Sequence, residues 1–299
     1  MDGDSLKGKN TNQESSSSLM EQFGDFLLRI NATLERELNL YSWSEFYAPL
    51  RYASDGGKRI RPLILVLSSE SVNADKKEGI DNNKEEIFLA SSAIELLHTE
   101  SVIHDDIIDE ENLRRGKPSF HVKYGYNSSI LTADFVLGII LNIGSKIDSP
   151  KISAELSKAA TKMSEGEMME IMLAKDPRLK EDDYIKVVEH KTASLFEAAA
   201  KIGAILGFGL EDEIRAMGSF GHLLGIAYQI HDDLLDWNNE DRLFNMLVKN
   251  NEQSVEFVAK MEKLFLSYSI KAKNELRKIA DSVSKKHLEH LTDLTYIQV

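Results

Sequence analysis

The stretch Phe23–Leu38, FGDFLLRINATLEREL, decides the fold class. Its apolar side chains recur at steps of three and four residues, which places them on one face of an α-helix. The members of this face are Phe23, Phe26, Leu27, Ile30, Leu34 and Leu38. The same spacing continues along the chain from Leu19, and no pattern of strands alternating with helices accompanies it. The sequence therefore predicts an all-α fold.

Serine and proline divide the chain into a tail and a helical domain. Residues 1–18 are polar and end in the run Ser15–Ser18, which predicts a disordered tail. The chain has five prolines, and the 122 residues after Pro177 contain none, which favours long uninterrupted helices. No linker or fixed-period repeat interrupts residues 19–299, so we expect a single helical domain there.

The segment Ile60–Leu67, IRPLILVL, has the β-branched content of a strand. Pro62 lies near its start, however, and the first turn of a helix tolerates proline because the N–H that proline lacks has no helical partner there. We therefore expect this segment to be a helix that begins near Ile60.

The composition excludes several classes of protein. The 299 residues include no cysteine, so a disulfide scaffold, a cysteine-ligated metal site and a cysteine nucleophile are excluded. The net charge of −13 argues against general nucleic-acid binding, which usually requires a basic surface. The apolar runs are too short for a transmembrane segment and the N-terminus lacks a secretory signal, so we expect a cytoplasmic protein.

Two clusters of aspartates follow apolar helical stretches. They are HDDIID at 104–109 and HDDLLD at 231–236. Residues four apart share a helix face, so Asp105 projects with Asp109 and Asp232 with Asp236. Such pairs repel one another unless a cation neutralises them, and Mg²⁺ is typically held by a few carboxylates and substrate phosphates. One such cluster could be a solvated helix end, but two copies favour a metal-diphosphate site.

Two basic segments complement the aspartates. GGKRIRP at 56–62 contains Lys58 and Arg61, which share one face of any helix that begins there. LRRGKP at 113–118 follows the first aspartate cluster directly. Arginine side chains match phosphate oxygens in geometry, so these segments favour a diphosphate site over ordinary basic loops.

These motifs together resemble the trans-isoprenyl diphosphate synthases. GGKRIRP, ELLHTESVIHDDIIDEENLRRGKPSFH, EHKTASLF and YQIHDDLLDW occur in the order found in that family, from about Leu19 to Trp237. The resemblance implies a bundle of long antiparallel helices around a central cavity. It also implies a homodimer that condenses isopentenyl diphosphate with an allylic diphosphate, using up to three Mg²⁺ ions bound with the allylic diphosphate.

The resemblance implies a role for each matching residue. The metal ligands would be Asp105, Asp106, Asp109, Asp232, Asp233 and Asp236. Isopentenyl diphosphate would be bound by Lys58, Arg61, His98 and Arg115. The allylic diphosphate would be faced by Arg114, Lys191, Thr192 and Gln229. Catalysis would depend on Asp105, Asp109, Asp232, Lys191 and Arg114.

The chain departs from the family pattern in two important places. The glycine-lysine loop that usually follows the second aspartate cluster is replaced by NNEDRLFN at 238–245. Glu100 and Ser101 occupy the positions that set product length, and a carboxylate against a prenyl chain is costly unless it is paired or protonated. A milder departure places Glu167 where the family has an amide.

Three functions remain open on this basis. The first is an active short-chain synthase, with geranylgeranyl diphosphate as its expected product because Glu100 is bulky and Ser101 is small. The second is a non-catalytic or regulatory subunit, which the missing loop favours. The third is a class I terpene cyclase, which shares the first aspartate cluster but has no need of Lys58 and Arg61.

Overall fold

A computed structural model describes residues 7–74, 76, 80–235, 243–250 and 254–293 of the chain. Six helices and one short hairpin form the first half: α1 (Lys7–Asn39), α2 (Tyr47–Ser54), α3 (Ile60–Asn73), α4 (Ile80–Ile108), β1 (Leu113–Arg114), β2 (Lys117–Pro118), α5 (Phe120–Tyr124) and α6 (Tyr126–Ile147). The two strands are antiparallel, with Leu113 opposite Pro118.

The described part of the second half contains helices and turns but no strand. It consists of α7 (Pro150–Leu173), α8 (Glu181–Val188), a π-helical turn (Glu189–Ala193), α9 (Ser194–Leu206), α10 (Glu211–Leu235), α11 (Leu243–Asn250), α12 (Ser254–Leu276) and α13 (Val283–Leu291). The all-α prediction is therefore confirmed.

Helix α3 explains the ambiguous segment at 60–67. Pro62 is the third residue of the helix, as the sequence predicts. Every residue from Pro62 to Ser69 is buried, so the apolar run is a helix enclosed on all sides and not a strand. Helix α9 packs against it closely because Gly203 lacks a side chain: a Cβ atom there would lie 2.2 Å from the Leu65 carbonyl oxygen.

The N-terminal helix differs from the sequence prediction. Residues 7–18, which we expect to be a disordered tail, form the first turns of α1, while residues 1–6 lie outside the described residues. No proline precedes Pro49, so nothing in the backbone chemistry prevents a helix over residues 7–18, but the helix is kinked at Phe23, where φ −123° and ψ 17° are not helical.

Buried apolar side chains hold the helices together. One cluster extends from Phe23 on α1 to Leu291 on α13, and α3, α4, α9 and α10 contribute most of its members. Among the described residues, α6 alone is long and apolar enough to cross a membrane by length and composition, with 39% of its apolar window buried. The buried side of α6 packs against α4.

Candidate functional site

The first aspartate cluster ends helix α4. Asp105 is largely buried, and burial raises the pKa of its carboxyl above the usual range, with further repulsion from Asp109. Asp106 is 2% exposed and accepts hydrogen bonds from Arg114, 2.7 Å from Nε and 2.6 Å from Nη2 to Oδ1. The two neighbouring aspartates are therefore in different environments: Asp106 is held by an arginine, while Asp105 faces the interior of the site.

Lys191 lies among three carboxylates from two other helices. Its Nζ is 2.5 Å from Glu167, 2.7 Å from Glu170 and 3.7 Å from Asp105. Burial opposes its charge, but Asp105, Glu170 and Glu167 outweigh burial and raise the pKa of the ammonium group. Burial also raises the pKa of Glu167 to about 7, against the opposing effect of Lys191. The contacts of Lys191 with Glu167 and Glu170 could not be predicted from the sequence. The two glutamates lie on α7, some twenty residues before Lys191, and no short motif includes all three residues.

Gly166 allows Lys191 to reach this position. A Cβ atom on Gly166 would lie 2.4 Å from the Lys191 backbone nitrogen and 2.9 Å from His190 Cβ. Helix α7 and the π-helical turn can therefore approach closely only because residue 166 has no side chain. The turn itself departs from α-helical hydrogen bonding, a feature that is frequent at functional sites.

We expect Gly166→Ala to destabilise the protein by about 1–3 kcal/mol or more, because the added methyl group would push the π-helical turn away from α7. Thermal or urea unfolding would measure the change. The matched control is Gly138→Ala on α6, where no atom lies within 4 Å of the new Cβ and alanine should stabilise the helix slightly. Equal stabilities for the two variants would contradict the close approach.

The second aspartate cluster ends the described part of α10. Asp233 is 6% exposed and accepts hydrogen bonds from the Tyr184 hydroxyl at 2.6 Å and from Gln229 Nε2 at 3.0 Å. Thr192 in turn donates to Gln229 Oε1 at 2.9 Å. Thr192, Gln229 and Asp233 thus form one buried chain of hydrogen bonds. The expected ligand Asp236 lies outside the described residues.

Asp232 influences the pKa values of Lys58 and Tyr228. Burial lowers the pKa of Lys58, and the negative charge of Asp232 opposes that effect. Burial raises the pKa of Tyr228 to about 12, with a further contribution from Asp232. Adjacent aspartates again have different environments, as they do at Asp105 and Asp106.

Arg61 packs against Phe196, and charges from both aspartate clusters influence its pKa. Its guanidinium carbon is 4.7 Å from the centre of the Phe196 ring. Burial lowers the pKa of the guanidinium, while the charges of Asp232 and Asp105 both oppose this effect. The contacts of the π-helical turn link the two clusters directly, because Lys191 lies 3.7 Å from Asp105 and Thr192 is joined through Gln229 to Asp233.

The predicted partners of Arg61 lie around it. Burial lowers the pKa of His98 well below its usual value, and Arg61 and Arg115 add to the effect, so His98 is neutral near pH 7. The guanidinium of Arg115 covers the glycine pair: a Cβ atom on Gly57 would lie 3.1 Å from its Nη1. Gly57 has φ +90°, a conformation that glycine adopts without strain. Arg115 thus lies near Lys58, and both Arg61 and Arg115 lie near His98, while the role of these four residues in binding stays a prediction.

Glu100 lies one helical turn before the first aspartate cluster. Its Oε1 is 3.7 Å from His104 Nδ1, and the side chain is 20% exposed. Burial raises the pKa of its carboxyl, and Asp134 on α6 adds to that effect. Ser101 donates a hydrogen bond to the His98 carbonyl at 2.9 Å. Burial therefore makes the carboxylate of Glu100 more costly, and the imidazole of His104 offsets part of that cost.

The oxygen ligands fit a divalent cation that is shared with a substrate. Among the residues that the structure describes, no three His, Asp or Glu side chains come close enough together to hold a metal ion by themselves. Asp105 and Asp109 nevertheless form a repelling pair that a cation would neutralise. A small divalent ion is commonly held by one or two carboxylates together with phosphate oxygens and water, and this donor set suits that arrangement.

Comparisons with known proteins agree with this geometry. A family model described as polyprenyl synthetase matches residues 44–254. The chain is 34% identical over 225 residues to a geranylgeranyl diphosphate synthase of Methanosarcina mazei, which covers 73% of this chain and 67% of that protein. It is 36% identical over 211 residues to an octaprenyl diphosphate synthase of Escherichia coli, covering 70% of this chain and 62% of that protein.

The fold is also shared with solved structures. A crystal structure of a polyprenyl synthase from Caulobacter crescentus, in complex with calcium and isoprenyl diphosphate, aligns with a TM-score of 0.78 at 22% identity. The alignment covers 94% of this chain and 97% of that one. The fold and the family resemblance that the sequence predicts are confirmed, and the names of these relatives agree with the predicted class of enzyme.

Proposed function

Because the chain belongs to the polyprenyl synthetase family, we propose that it is a trans-prenyltransferase that joins isopentenyl diphosphate to an allylic diphosphate. The observation that carries this proposal is the link between the two aspartate clusters: Lys191 lies 3.7 Å from Asp105 on α4, and its neighbour Thr192 is joined through Gln229 to Asp233 on α10. Two diphosphates can be bound side by side where basic groups and carboxylates converge in this way.

The side chains divide between the two diphosphates. Lys58, Arg61, Arg115 and the neutral His98 would bind isopentenyl diphosphate by direct hydrogen bonds and charge. Lys191 and Arg114 would face the allylic diphosphate. Divalent cations, which we propose to be Mg²⁺, would neutralise that diphosphate when held by Asp105, Asp109 and Asp232.

The reaction breaks the allylic C–O bond, and the diphosphate leaves with the electron pair. The isopentenyl double bond then attacks the allylic carbon, and a proton from the isopentenyl unit passes to the departing diphosphate. Lys191 and Arg114 would stabilise the charge that develops on the leaving group. The rings of Phe196 and Tyr228, 5.2 Å apart beside Arg61, would help to exclude water from the allylic cation.

We propose geranylgeranyl diphosphate as the main product. The relatives include both a geranylgeranyl and an octaprenyl diphosphate synthase, so this choice depends on the residues before the aspartates. The side chain of Glu100, partly buried and paired with His104, is large enough to stop a growing chain, while Ser101 leaves room beside it.

We expect Glu100→Ala to lengthen the product by at least one five-carbon unit, because a smaller apolar side chain removes both the bulk and the charge from the path of the prenyl chain. Chromatography of the dephosphorylated products would measure their length. Glu100→Gln keeps the volume, so an unchanged product with Gln and a longer one with Ala would assign the effect to size. An unchanged product with Ala would contradict the role of Glu100.

The apolar outer face of α6 supports a homodimer. Ile130, Leu137 and Leu141 share one face of this helix and are 51%, 41% and 67% exposed. A second copy of the chain could bury this face, and light scattering would measure the mass of the protein in solution.

Cytoplasmic localisation and a single domain over 19–299 stay predictions.

One experiment separates the candidate functions. The purified protein would be incubated with Mg²⁺, labelled isopentenyl diphosphate and an allylic primer. Prenyl products that stop at one length support the synthase. Incorporation that requires an added partner protein would favour the regulatory subunit, and a cyclic hydrocarbon formed from the allylic diphosphate alone would favour the terpene cyclase.

A further inference from the structure

Arg59 has an unusual backbone conformation between two predicted substrate-binding residues. It lies directly after Lys58 and immediately before α3, which carries Arg61. Its φ is +55° and its ψ is +32°, in the left-handed region that side chains with a Cβ atom seldom adopt. Something must hold this conformation, because Gly56 and Gly57, which precede Lys58, give the loop little conformational restraint of its own.

The side chain of Arg59 supplies the restraint. Its Nη1 contacts the Glu95 carboxylate, its Nη2 donates to the Ser54 carbonyl at 2.6 Å, and its Nε donates to Asn31 Oδ1 at 2.9 Å. These partners belong to α4, α2 and α1 respectively. One planar guanidinium thus joins the loop to three helices, a geometry that a single ammonium group cannot reproduce.

Burial makes the pair of Arg59 and Glu95 costly to separate. The side chain of Arg59 is 10% exposed and that of Glu95 is 5% exposed. A buried charge without its partner is strongly unfavourable, so neither group can move away without the other being disturbed. The backbone of Arg59 is therefore fixed by a contact that the fold protects from water.

The pair adjoins the predicted isopentenyl diphosphate subsite, because Arg59 lies between Lys58 and Arg61 in the chain. The negative charge of Glu95 opposes the lowering of the pKa values of Arg61 and Arg115. The positive charge of Arg59 contributes to the low pKa of His98. The pair is thus close enough to influence three of the groups that would bind the diphosphate, although its own hydrogen-bonding atoms are occupied by the protein.

We propose that Arg59 is a positioning residue for isopentenyl diphosphate. Its pairing with Glu95 holds the left-handed turn that directs Lys58 and Arg61 toward the diphosphate, and Arg59 itself does not touch the substrate. This inference rests on the proposed function, because it assumes that Lys58 and Arg61 bind isopentenyl diphosphate.

The test is Arg59→Lys, which keeps the charge and removes the planar fork. We expect the KM for isopentenyl diphosphate to rise about tenfold, while the KM for the allylic substrate and the kcat at saturation change by less than about twofold. A general loss of structure would change all three constants together. Arg59→Gly is the second variant: it adopts the left-handed conformation easily but has no side chain to hold it, so we expect it to weaken isopentenyl diphosphate binding at least as much.

The matched control is Glu37→Gln. Glu37 is also a buried carboxylate, and it lies 2.5 Å from Lys146 Nζ. It is not among the charges that shift the pKa values of Arg61, Arg115 or His98. We expect it to affect thermal stability without a selective change in KM. A selective KM increase in Glu37→Gln, or an unchanged KM for isopentenyl diphosphate in Arg59→Lys or Arg59→Gly, would overturn the inference.

Calorimetric titration with isopentenyl diphosphate separates failure of this inference from failure of the proposed function. If the unaltered protein binds isopentenyl diphosphate and Arg59→Lys binds it equally well, only the positioning role is overturned. If the unaltered protein neither binds isopentenyl diphosphate nor incorporates it, the proposed function fails and this inference fails with it.

Discussion

Replacement of Asp105 by asparagine is expected to lower turnover by about 10²–10³-fold while leaving the folded protein at least as stable as before. The loss of activity follows if Asp105 binds a cation on the leaving diphosphate, because asparagine carries no charge. The stability follows from burial and from Asp109, which raise the pKa of Asp105 and so disfavour its ionised form in the folded state. Steady-state incorporation of labelled isopentenyl diphosphate and thermal unfolding would measure the two effects.

The control for this variant is Asp212→Asn. Asp212 lies in the first turn of α10, is 87% exposed and pairs only with Arg215 among the described contacts. We expect it to keep full turnover. Near-normal turnover in Asp105→Asn would reject the assignment of Asp105 as a metal ligand.

The variant Lys191→Met should lose both stability and activity. Methionine keeps much of the side-chain volume but leaves Asp105, Glu167 and Glu170 without the ammonium group that lies among them. Breaking a buried pair by removing one partner costs about 3–5 kcal/mol. Turnover should also fall by about 10²-fold, because one stabiliser of the leaving diphosphate is lost. Urea unfolding and incorporation assays would measure both.

The loss of stability in Lys191→Met should depend on pH. A carboxyl whose folded-state pKa is raised stabilises the fold below its unfolded pKa, and this contribution is lost as pH rises through the folded value. Glu167 already has a pKa of about 7, and removal of Lys191 would raise it further. The difference from the unaltered protein should therefore be small near pH 5 and large near pH 8.

Lys201→Met is the control for the second variant. Lys201 is 19% exposed, close to the 22% of Lys191, and its partner Glu197 is also contacted by Lys158 at 3.2 Å. Because Glu197 keeps another cation, we expect a smaller loss of stability and normal turnover. A pH-independent deficit in Lys191→Met, or an equal one in Lys201→Met, would contradict the shared-cation arrangement.

The helical periodicity of the aspartate motifs indicates which of their residues share a helix face. Asp105 and Asp109 share a face because they are four residues apart, and the sequence indicates this directly. The residue after Asp105 lies about 100° around the helix, so Asp106 could have been assigned to a different environment on the same argument. The pairing of Asp106 with Arg114 could not be predicted in this way. The hairpin that returns Arg114 to α4 has only two residues in each strand, which is too short to recognise in the sequence.

Contacts between helices that are distant in the chain could not be predicted from the sequence. The cluster around Lys191 requires Glu167 and Glu170 from α7, and Gly166 was the one local sign that two backbones approach there. The pairing of Arg59 with Glu95 likewise joins residues 36 positions apart. Periodicity assigns a face to each helix, but the choice of partner depends on how complete helices pack.

Apolar side chains of α12 lie on both its buried and its exposed sides. The sequence indicates a helix from its apolar spacing, yet Val255 and Ile270 are 81% and 60% exposed, while Phe257 and Met261 are buried. An apolar residue on the surface is common, so spacing alone predicts the helix better than it predicts which side is covered.

The π-helical turn at Glu189–Ala193 makes the length of the chain between α8 and α9 critical. Each residue of an α-helix advances the chain by about 100° around its axis. Deleting one residue from the turn would allow an ordinary α-helix to continue, so secondary structure would survive. Every side chain of α9 would nevertheless rotate relative to α8, and the buried residues Phe196, Ala200 and Gly203 would no longer face α3 and α10. Insertions and deletions should therefore be rarer in these five residues than their position between two short helices would suggest.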